Sequence, residues 1–330
     1  MSAKIAAVVV TYNRKALLAE CLEALLAQSK PLDAIVVVDN ASTDGTREFL
    51  LQSGYNRNPT ITVLDLPINV GGAGGFHAGM SRAIERGFDW IWVMDDDAEP
   101  APDALEELCA HLGTPGICGL ACLPVVPSGG VLYSHRGGFD FSNPVAHALV
   151  IPIVPKDITD CAVGTVEFAS FVGLMVSRPA CEQVGLPKKE LFLHGDDIEF
   201  CVRLGRVGRI LLVCQSVITH KEAAVIETKR RVRFRLVGSN RPTVASLART
   251  YFMRRNYVWI ASRNGGGLFK VAKGVLRSAL RATRSTVGIL LFDRDKFVRL
   301  RLIWGALVSG LVGDFDNDFP RRMSQLGTRL

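Results

Sequence analysis

The sequence predicts an α/β protein: a sheet flanked by helices over residues 1–222, then a basic, mainly helical region over residues 223–330. Three observations predict it. Short apolar runs alternate with segments of helical spacing through the front of the chain. A cluster of polar residues follows each of those runs. Formal charge also divides: residues 1–220 carry 16 Lys/Arg and 25 Asp/Glu, a net of −9, whereas residues 221–330 carry 23 and 7, a net of +16.

Ile5–Val10 is a six-residue apolar run, read as a buried strand. Arg14–Ala27 follows with Leu18, Leu22, Leu25 and Leu26 on one side of a helix. Ala34–Val38 is the second strand, and Ser42-Thr43-Asp44 then opens a helix with side-chain oxygens able to cap its N–H groups. Ile61–Leu64 and Trp90–Met94 are the third and fourth strands. Strands separated by helices of this length pair in parallel, and ligands of such sheets bind at the C-terminal strand ends. The polar clusters stand there: Thr11-Tyr12-Asn13, Asp39-Asn40, Asn69–Gly75 and Asp95-Asp96-Asp97. The middle holds strand-like runs at Ala148–Ile153, Val163–Val176 and Ile210–Val213, with a helix at Asp196–Val207.

After His220 the texture changes. Lys229–Arg235 is a basic run, and Phe269–Leu291 reads as a helix whose Lys270, Lys273, Arg277, Arg281 and Arg284 form one stripe. Arg294–Val312 is basic at its start and apolar after Leu302.

Apolar residues make up 48% and charged residues 22%, which excludes a disordered chain. The eight Cys include no Cys-x-x-Cys pair and read as thiols of a reducing compartment. The N-terminus lacks the layout of a signal peptide, and the apolar run Leu302–Gly313 falls short of the about 20 residues that span a bilayer. The expectation is a cytoplasmic protein that lies on the inner face of the plasma membrane.

The chemistry concentrates in a few places. Asp95-Asp96-Asp97 ends an apolar strand, where three carboxylates repel one another unless a divalent cation joins them. His194-Gly195-Asp196-Asp197 opens a helix whose dipole favours anions, so Asp196 or Asp197 is expected to stay ionised and serve as a general base. His220 ends a strand-like run, and imidazole serves as a third metal ligand beside carboxylates. Asn69–Gly75 is a glycine-rich turn that matches neither the dinucleotide fingerprint nor the P-loop, leaving a backbone able to approach a phosphate or sugar. Asp39 ends a strand where it can accept from a base or ribose, or else cap a turn.

Together Val9–Arg14, Val37–Thr46, Asn69–Phe76, Asp95-Asp96-Asp97 and Asp196-Asp197 resemble, in this order over residues 4–222, family 2 glycosyltransferases of the GT-A fold, a Rossmann-like mixed sheet flanked by helices. The resemblance implies that Thr11, Asn13 and Asp39 contact uridine or thymidine, with Arg14, Asn69, Gly71, Gly72, Gly74, Asp95 and Asp96 in the same donor-binding set. It implies that Asp95 and Asp97 hold Mn²⁺ or Mg²⁺ with His220, Asp96 being the middle residue of the Asp-x-Asp motif. It implies that Asp197 is the general base, with Asp196 as the alternative. Trp92, Phe168, Phe171 and His194 are the candidates for acceptor contact, core packing being the competing role for the three aromatics.

The glycine-rich segment and His194–Phe200 look most like bacterial galactofuranosyltransferases; rhamnosyltransferases share the front motifs, and Arg254-Arg255-Asn256-Tyr257 resembles an element of both. The expected activity is inverting transfer from UDP-galactofuranose to a glycan or polyprenyl-phosphate-linked glycan, with dTDP-rhamnose as the competing donor. The basic stripe then suits an anionic membrane. A nucleic-acid-binding protein and a catalytically dead nucleotide-sugar binder are the rivals from other classes; no nucleic-acid motif is present and the carboxylate set is complete.

Overall fold

The computed structural model describes residues 3–144, 149–154, 163–221, 242–264 and 267–327. The basic run Lys229–Arg235 lies outside the described residues, as does the expected boundary after residue 222. The chain forms two units: Met1–Gly138, Pro152–Lys189 and Asp196–Val232 in the first, and Phe139–Ile151, Glu190–Gly195 and Arg233–Leu330 in the second.

In the first unit β1 (Ile5–Thr11), β2 (Ala34–Asp39), β3 (Ile61–Asp65) and β4 (Trp90–Asp95) lie in the order β3-β2-β1-β4, all parallel. Every residue of β1 and β2 is buried, so both faces are covered; this is why these strands read as unbroken apolar runs. Between them α1 (Lys15–Leu26) buries Leu18, Cys21, Leu22 and Leu25, the stripe its spacing predicts. The next helix, α2 (Thr46–Gln52), starts later than expected, after Gly45 in the left-handed region (φ 84°). Asp44 still serves it, accepting from the Thr46 N–H at 3.1 Å. Ser42 and Thr43 instead bond the loop after β1, as described below.

The glycine-rich segment differs from its expectation. From Gly71 it is already the first turns of α3 (Gly71–Glu85), so the turn itself is confined to the residues before Gly71. A Cβ on Gly75 would sit 2.6 Å from Val10 Cγ1, and one on Gly79 would sit 2.4 Å from Val8 Cγ1. A Cβ on Gly74 would sit 2.5 Å from Val70 Cγ2, whereas Gly72 faces open space. Gly75 and Gly79 therefore bring α3 close onto the sheet.

The rest of the sheet makes it mixed. After β4 come β5 (Ala98–Pro100), α4 (Ala104–Cys109), β6 (Ile117–Val125), β7 (Arg136–Phe139), β8 (Val150–Pro152), β9 (Val163–Val166), β10 (Phe168–Ala169), β11 (Leu174–Ser177), α5 (Arg178–Val184), α6 (Asp196–Leu204) and β12 (Arg209–His220). β11 runs antiparallel to both β4 and β6, while β12 runs parallel to β6 and antiparallel to β5 and β9. The single run expected over Val163–Val176 is thus three strands with three sets of partners: β9 on β12, β10 on β7, and β11 between β4 and β6. Gly173 (φ 79°) ends the turn before β11, where a Cβ would lie 2.9 Å from Cys122 Sγ.

The second unit contains α7 (Val244–Asn264), α8 (Leu268–Phe292), α9 (Lys296–Val312) and α10 (Phe319–Gly327). Leu247, Tyr251 and Phe252 of α7 form its core with Val298, Leu302 and Ala306 of α9 and Met323 of α10. The apolar run after Leu302 spends its Leu302 and Ala306 side on this packing; Trp304, Val308 and Val312 stay exposed. Gly310 permits the close crossing, since a Cβ there would lie 2.5 Å from Arg255 O.

Helix α8 has three stripes. Gly274, Ala282 and Ile289 are buried. Leu276, Leu280, Val287 and Leu291 are exposed at steps of 4, 7 and 4. Lys270, Lys273, Arg281 and Arg284 are exposed beside them, with Arg277 half-buried and donating to Ser142 O at 2.9 Å. No helix among the described residues is long and apolar enough to cross a membrane.

Candidate active site

Parallel pairing sets the C-terminal ends of β1, β2 and β4 side by side: Thr11 lies opposite Asp39, and Val10 opposite Asp95. The loops that follow are tied together. Asp39 Oδ1 accepts from Ser42 N–H at 2.9 Å, Ser42 Oγ accepts from Asn13 N–H at 2.9 Å, and Asn13 Oδ1 accepts from Thr43 N–H at 2.6 Å. Asn13 holds φ 57°, a left-handed conformation that Asn adopts more readily than most residues. Asn69 Oδ1 accepts from Gly71 N–H at 2.8 Å and so opens α3. Asn40 joins the two loops, donating to Gly71 O at 3.0 Å and accepting from Val70 N–H at 2.9 Å. Thr11, Asn13, Asp39, Asn69, Gly71 and Gly72 therefore gather along one edge of the sheet. Asn40 is a positioning residue that the sequence did not single out.

The acidic triplet divides its work. Asp96 faces protein: Oδ2 accepts from Thr11 Oγ1 at 2.7 Å and Oδ1 from Arg14 Nη1 at 3.3 Å. Asp95 and Asp97 face His220, and one ligand atom from each of the three lies within 4.8 Å of the others. The meeting is a matter of topology. β12 pairs antiparallel with β5, setting His220 opposite Ala98, and Lys221 N–H donates to Asp97 O at 2.9 Å. His220 Nε2 lies 3.2 Å from Asp97 Oδ1.

The electrostatics fit a cation. Burial, then the charge of Asp97, pushes the Asp95 carboxyl well above its ordinary range. Burial pushes Asp97 up too, but the His220 imidazole and Arg14 outweigh it and hold the carboxyl low. Asp97 Oδ1 is buried against His220 Nε2, while His220 Nδ1 is buried without a hydrogen-bond partner among the described residues. Such an atom costs about 1–3 kcal/mol unless satisfied. Two carboxylates and an imidazole are a donor set that Mn²⁺ or Mg²⁺ accepts, so the residues present fit a divalent cation.

Asp196 and Asp197 begin α6 after Gly195, and here burial separates the two carboxyls, which the sequence treated alike. A helix dipole at an exposed N-terminus stabilises an anion by about 0.3–1 kcal/mol, whereas burial shifts a carboxyl by up to about 3–5 pKa units at about 1.4 kcal/mol each. Burial wins. It pushes Asp196 up to about 8, with the charge of Asp197 adding to it. It pushes Asp197 to about 6, against the hydrogen bond from Ile198 N–H at 2.7 Å. Asp196 also contributes to raising Asp95, so the carboxylate pair and the Asp95 cluster share one neighbourhood.

Two residues beside this site carried no signal in the sequence. Arg136 is fully buried and donates to Cys122 O, His135 O, Ser170 Oγ and Val172 O at 2.6–3.3 Å. Its charge lowers Asp197 against the burial. The His135 ring meets His220 edge-on at 5.1 Å, and its Nδ1 is bonded with Ser170 Oγ at 2.9 Å. An isolated His-Arg pair outside any motif gives no pattern to recognise.

The aromatic acceptor candidates are corrected as well. Trp92, Phe168 and Phe171 are 0%, 3% and 4% exposed, leaving no ring face for a sugar. Trp92 sits in the core of the sheet, and Phe171 packs on Phe76 and Phe200 at 4.7 and 6.0 Å. His194 belongs to the second unit, where its backbone carbonyl accepts from Asn256 Nδ2 at 2.7 Å.

Comparison with known proteins agrees with this geometry. Residues 6–170 match the model of glycosyl transferase family 2. The chain is 31% identical over 218 residues to galactofuranosyltransferase GlfT1 of Mycolicibacterium smegmatis, covering 62% of this chain and 66% of that protein. It is 24% identical over 317 residues to the N-acetylglucosaminyl-diphospho-decaprenol L-rhamnosyltransferase of Mycobacterium tuberculosis, covering 90% of this chain and 97% of the relative. The crystal structure of S. aureus TarS 1-349 in complex with UDP-GlcNAc superposes with a TM-score of 0.55 at 14% identity, over 99% of this chain and 92% of that one. The mixed sheet with carboxylates at its strand ends is thus the GT-A arrangement, and the chain belongs to glycosyl transferase family 2 and is a glycosyltransferase.

Proposed function

We propose that the enzyme transfers galactofuranose from UDP-galactofuranose to a hydroxyl of a glycan, with inversion at the anomeric carbon. The observation that carries this reading is the Asp95–Asp97–His220 cluster at the strand ends, with Asp196, the neighbour of Asp197 at the start of α6, acting on Asp95. The nucleotide lies along the edge formed by Thr11, Asn13, Asp39 and the glycine-rich start of α3. Asp95, Asp97 and His220 would hold a divalent cation, which when bound would neutralise charge on the diphosphate leaving group. Arg14 lies beside Asp96 and Asp97 and adds a second cation near the same phosphates. Asp197 accepts the acceptor hydroxyl's proton as its oxygen attacks the anomeric carbon; the new C–O bond forms, the sugar–phosphate bond breaks, and UDP leaves. Asp196, pushed to about 8, stays protonated at neutral pH and does not compete for that proton.

A donor panel tests this: transfer with UDP-galactofuranose, UDP-galactopyranose and dTDP-rhamnose, with Mn²⁺ or Mg²⁺ and with chelator. Preference for UDP-galactofuranose lost to chelator is expected. Preference for dTDP-rhamnose would move the enzyme to the second reading, rhamnosyl transfer, which is favoured by the relative that matches over 90% of this chain.

The acceptor in this reading is linked to polyprenyl phosphate, and the second unit meets the membrane that carries it on the inner face of the plasma membrane. An exposed leucine stripe beside a Lys/Arg stripe on one helix suits an anionic lipid interface better than a nucleic acid, which offers the leucines nothing. Flotation with anionic liposomes at low salt is expected to carry the protein upward. Equal flotation with neutral liposomes, or none with either, contradicts the role of the stripe.

A further inference from the structure

Within the second unit, residues 190–195 have a backbone that few sequences tolerate. Phe192 and His194 have φ of 63° and 66°, and Gly195 has φ 84°. Two non-glycine residues in the left-handed region within one short turn are strained, and such strain persists only where the surroundings impose it. A side chain at Gly195 would also press on Tyr257 Cε1 at 3.2 Å and Ile260 Cδ1 at 3.3 Å.

What imposes it is a pair of buried polar residues on α7. Arg255 and Asn256 are both 0% exposed. Asn256 Nδ2 donates toward Leu191 O, Leu193 O and His194 O at 2.9, 3.1 and 2.7 Å. Its Oδ1 accepts from Arg255 Nε at 2.9 Å, which fixes the end of the amide that faces the turn. Arg255 Nη2 donates to Glu190 O and Leu191 O at 3.3 and 3.1 Å, and Nη1 to Asn317 Oδ1 at 2.9 Å. Asn317 in turn donates to Glu190 O at 3.2 Å. The guanidinium is enclosed by the rings of Tyr251, Phe252 and Phe315 at 5.0–5.8 Å, and Phe192 stacks on Phe252 at 4.9 Å. Only an amide meets this arrangement: it presents its two hydrogens to three carbonyls while accepting from a guanidinium. An Asp of the same shape presents oxygens to those carbonyls.

The turn ends at Gly195, and the next residues along the chain are Asp196 and Asp197. We infer that Arg255 and Asn256 are positioning residues for catalysis: by fixing the carbonyls of residues 190–195 they set the direction in which the chain enters the Asp196-Asp197 helix start. The inference rests on the reading of Asp197 as the base. It gives the Arg-Asn pair a function within turnover, distinct from donor binding and from stability alone.

The experiment compares four variants of the full chain with wild type for kcat, donor KM, UDP affinity and Tm. Asn256→Asp is expected to lower kcat by about 100-fold, the scale of an ångström-level misplacement, with UDP affinity unchanged. Asn317→Ala, which removes only the outer support, is expected to lower kcat less while keeping the fold. Leu247→Ala, in the core of the same unit, is expected to lower Tm and leave kcat per folded molecule unchanged. Wild-type kcat in both Asn variants, or losses that track Tm as in Leu247→Ala, overturns the inference. Asp197→Asn separates the two failures. If Asp197→Asn is inactive while the Asn variants turn over normally, positioning alone is wrong; if Asp197→Asn keeps its turnover, the base assignment falls and takes this inference with it.

Discussion

Replacing Asp197 with Asn keeps the shape of the side chain and removes its ability to take a proton. Burial pushes the Asp197 carboxyl to about 6, close to the value at which a base is both ionised and willing to accept at neutral pH. The sign follows from the chemistry: only the carboxylate accepts, so activity is present above the pKa and lost as pH falls through it. At pH 7 a group titrating at about 6 is roughly nine-tenths ionised, and at pH 5 roughly one-tenth, so kcat/KM falls about tenfold per unit below the midpoint. General-base catalysis contributes about 100- to 10,000-fold, and Asp197→Asn is expected to lose that much of kcat with UDP still bound. Asp196, pushed to about 8, is already largely protonated at pH 7, and a neutral Asn copies that state. Asp196→Asn is therefore expected to cost less than about tenfold, far below the range for a lost base. The assay is release of UDP in the presence of acceptor, from pH 5 to 9, for wild type and both variants. Near-normal turnover in Asp197→Asn, a greater loss in Asp196→Asn, or a wild-type acidic limb near pH 4 refutes the reasoning.

Three further outcomes follow from the geometry. His220→Ala removes the imidazole of the metal cluster and is expected to raise the Mn²⁺ concentration for half activity by at least about tenfold, read by titrating metal into chelated enzyme. Gly79→Ala drives a Cβ to 2.4 Å from Val8 and 2.9 Å from Val38, so the unfolding free energy is expected to fall by about 1–3 kcal/mol in a denaturant titration, with activity per folded molecule preserved. Each of Lys270, Lys273, Arg281 and Arg284 changed to Ser is expected to weaken binding to anionic vesicles by about 1 kcal/mol, roughly fivefold, with transfer to a soluble acceptor unchanged.

The site was legible in the sequence where its parts are contiguous. Asp95-Asp96-Asp97 and Asp196-Asp197 are neighbours along the chain, and the clusters at Thr11, Asp39 and Asp95 directly follow apolar runs. Residues that reach the site through long-range packing left no such trace. Arg136 and His135 lie in a stretch without periodicity, and Asn40 differs from any turn Asn until its amide is seen bridging to Val70 and Gly71. The glycine-rich segment was read as a turn throughout because glycine count cannot distinguish a turn from a helix pressed against a sheet; Val8 and Val10 decide that.

By itself the sequence determined the four parallel strands, the polar residues at their C-terminal ends, the membership in a family and the helix with its basic stripe, because burial on both faces and helical periodicity are written residue by residue. Tertiary structure decided which carboxylates are charged, which aromatics are covered, how β12 delivers His220 to Asp97, and what holds the turn before Asp196. Those properties depend on desolvation and on hydrogen bonds between distant segments. Trp92 ends with no exposed surface and Asp197 with a carboxyl pushed to about 6 because of what packs over them, and no local pattern states that.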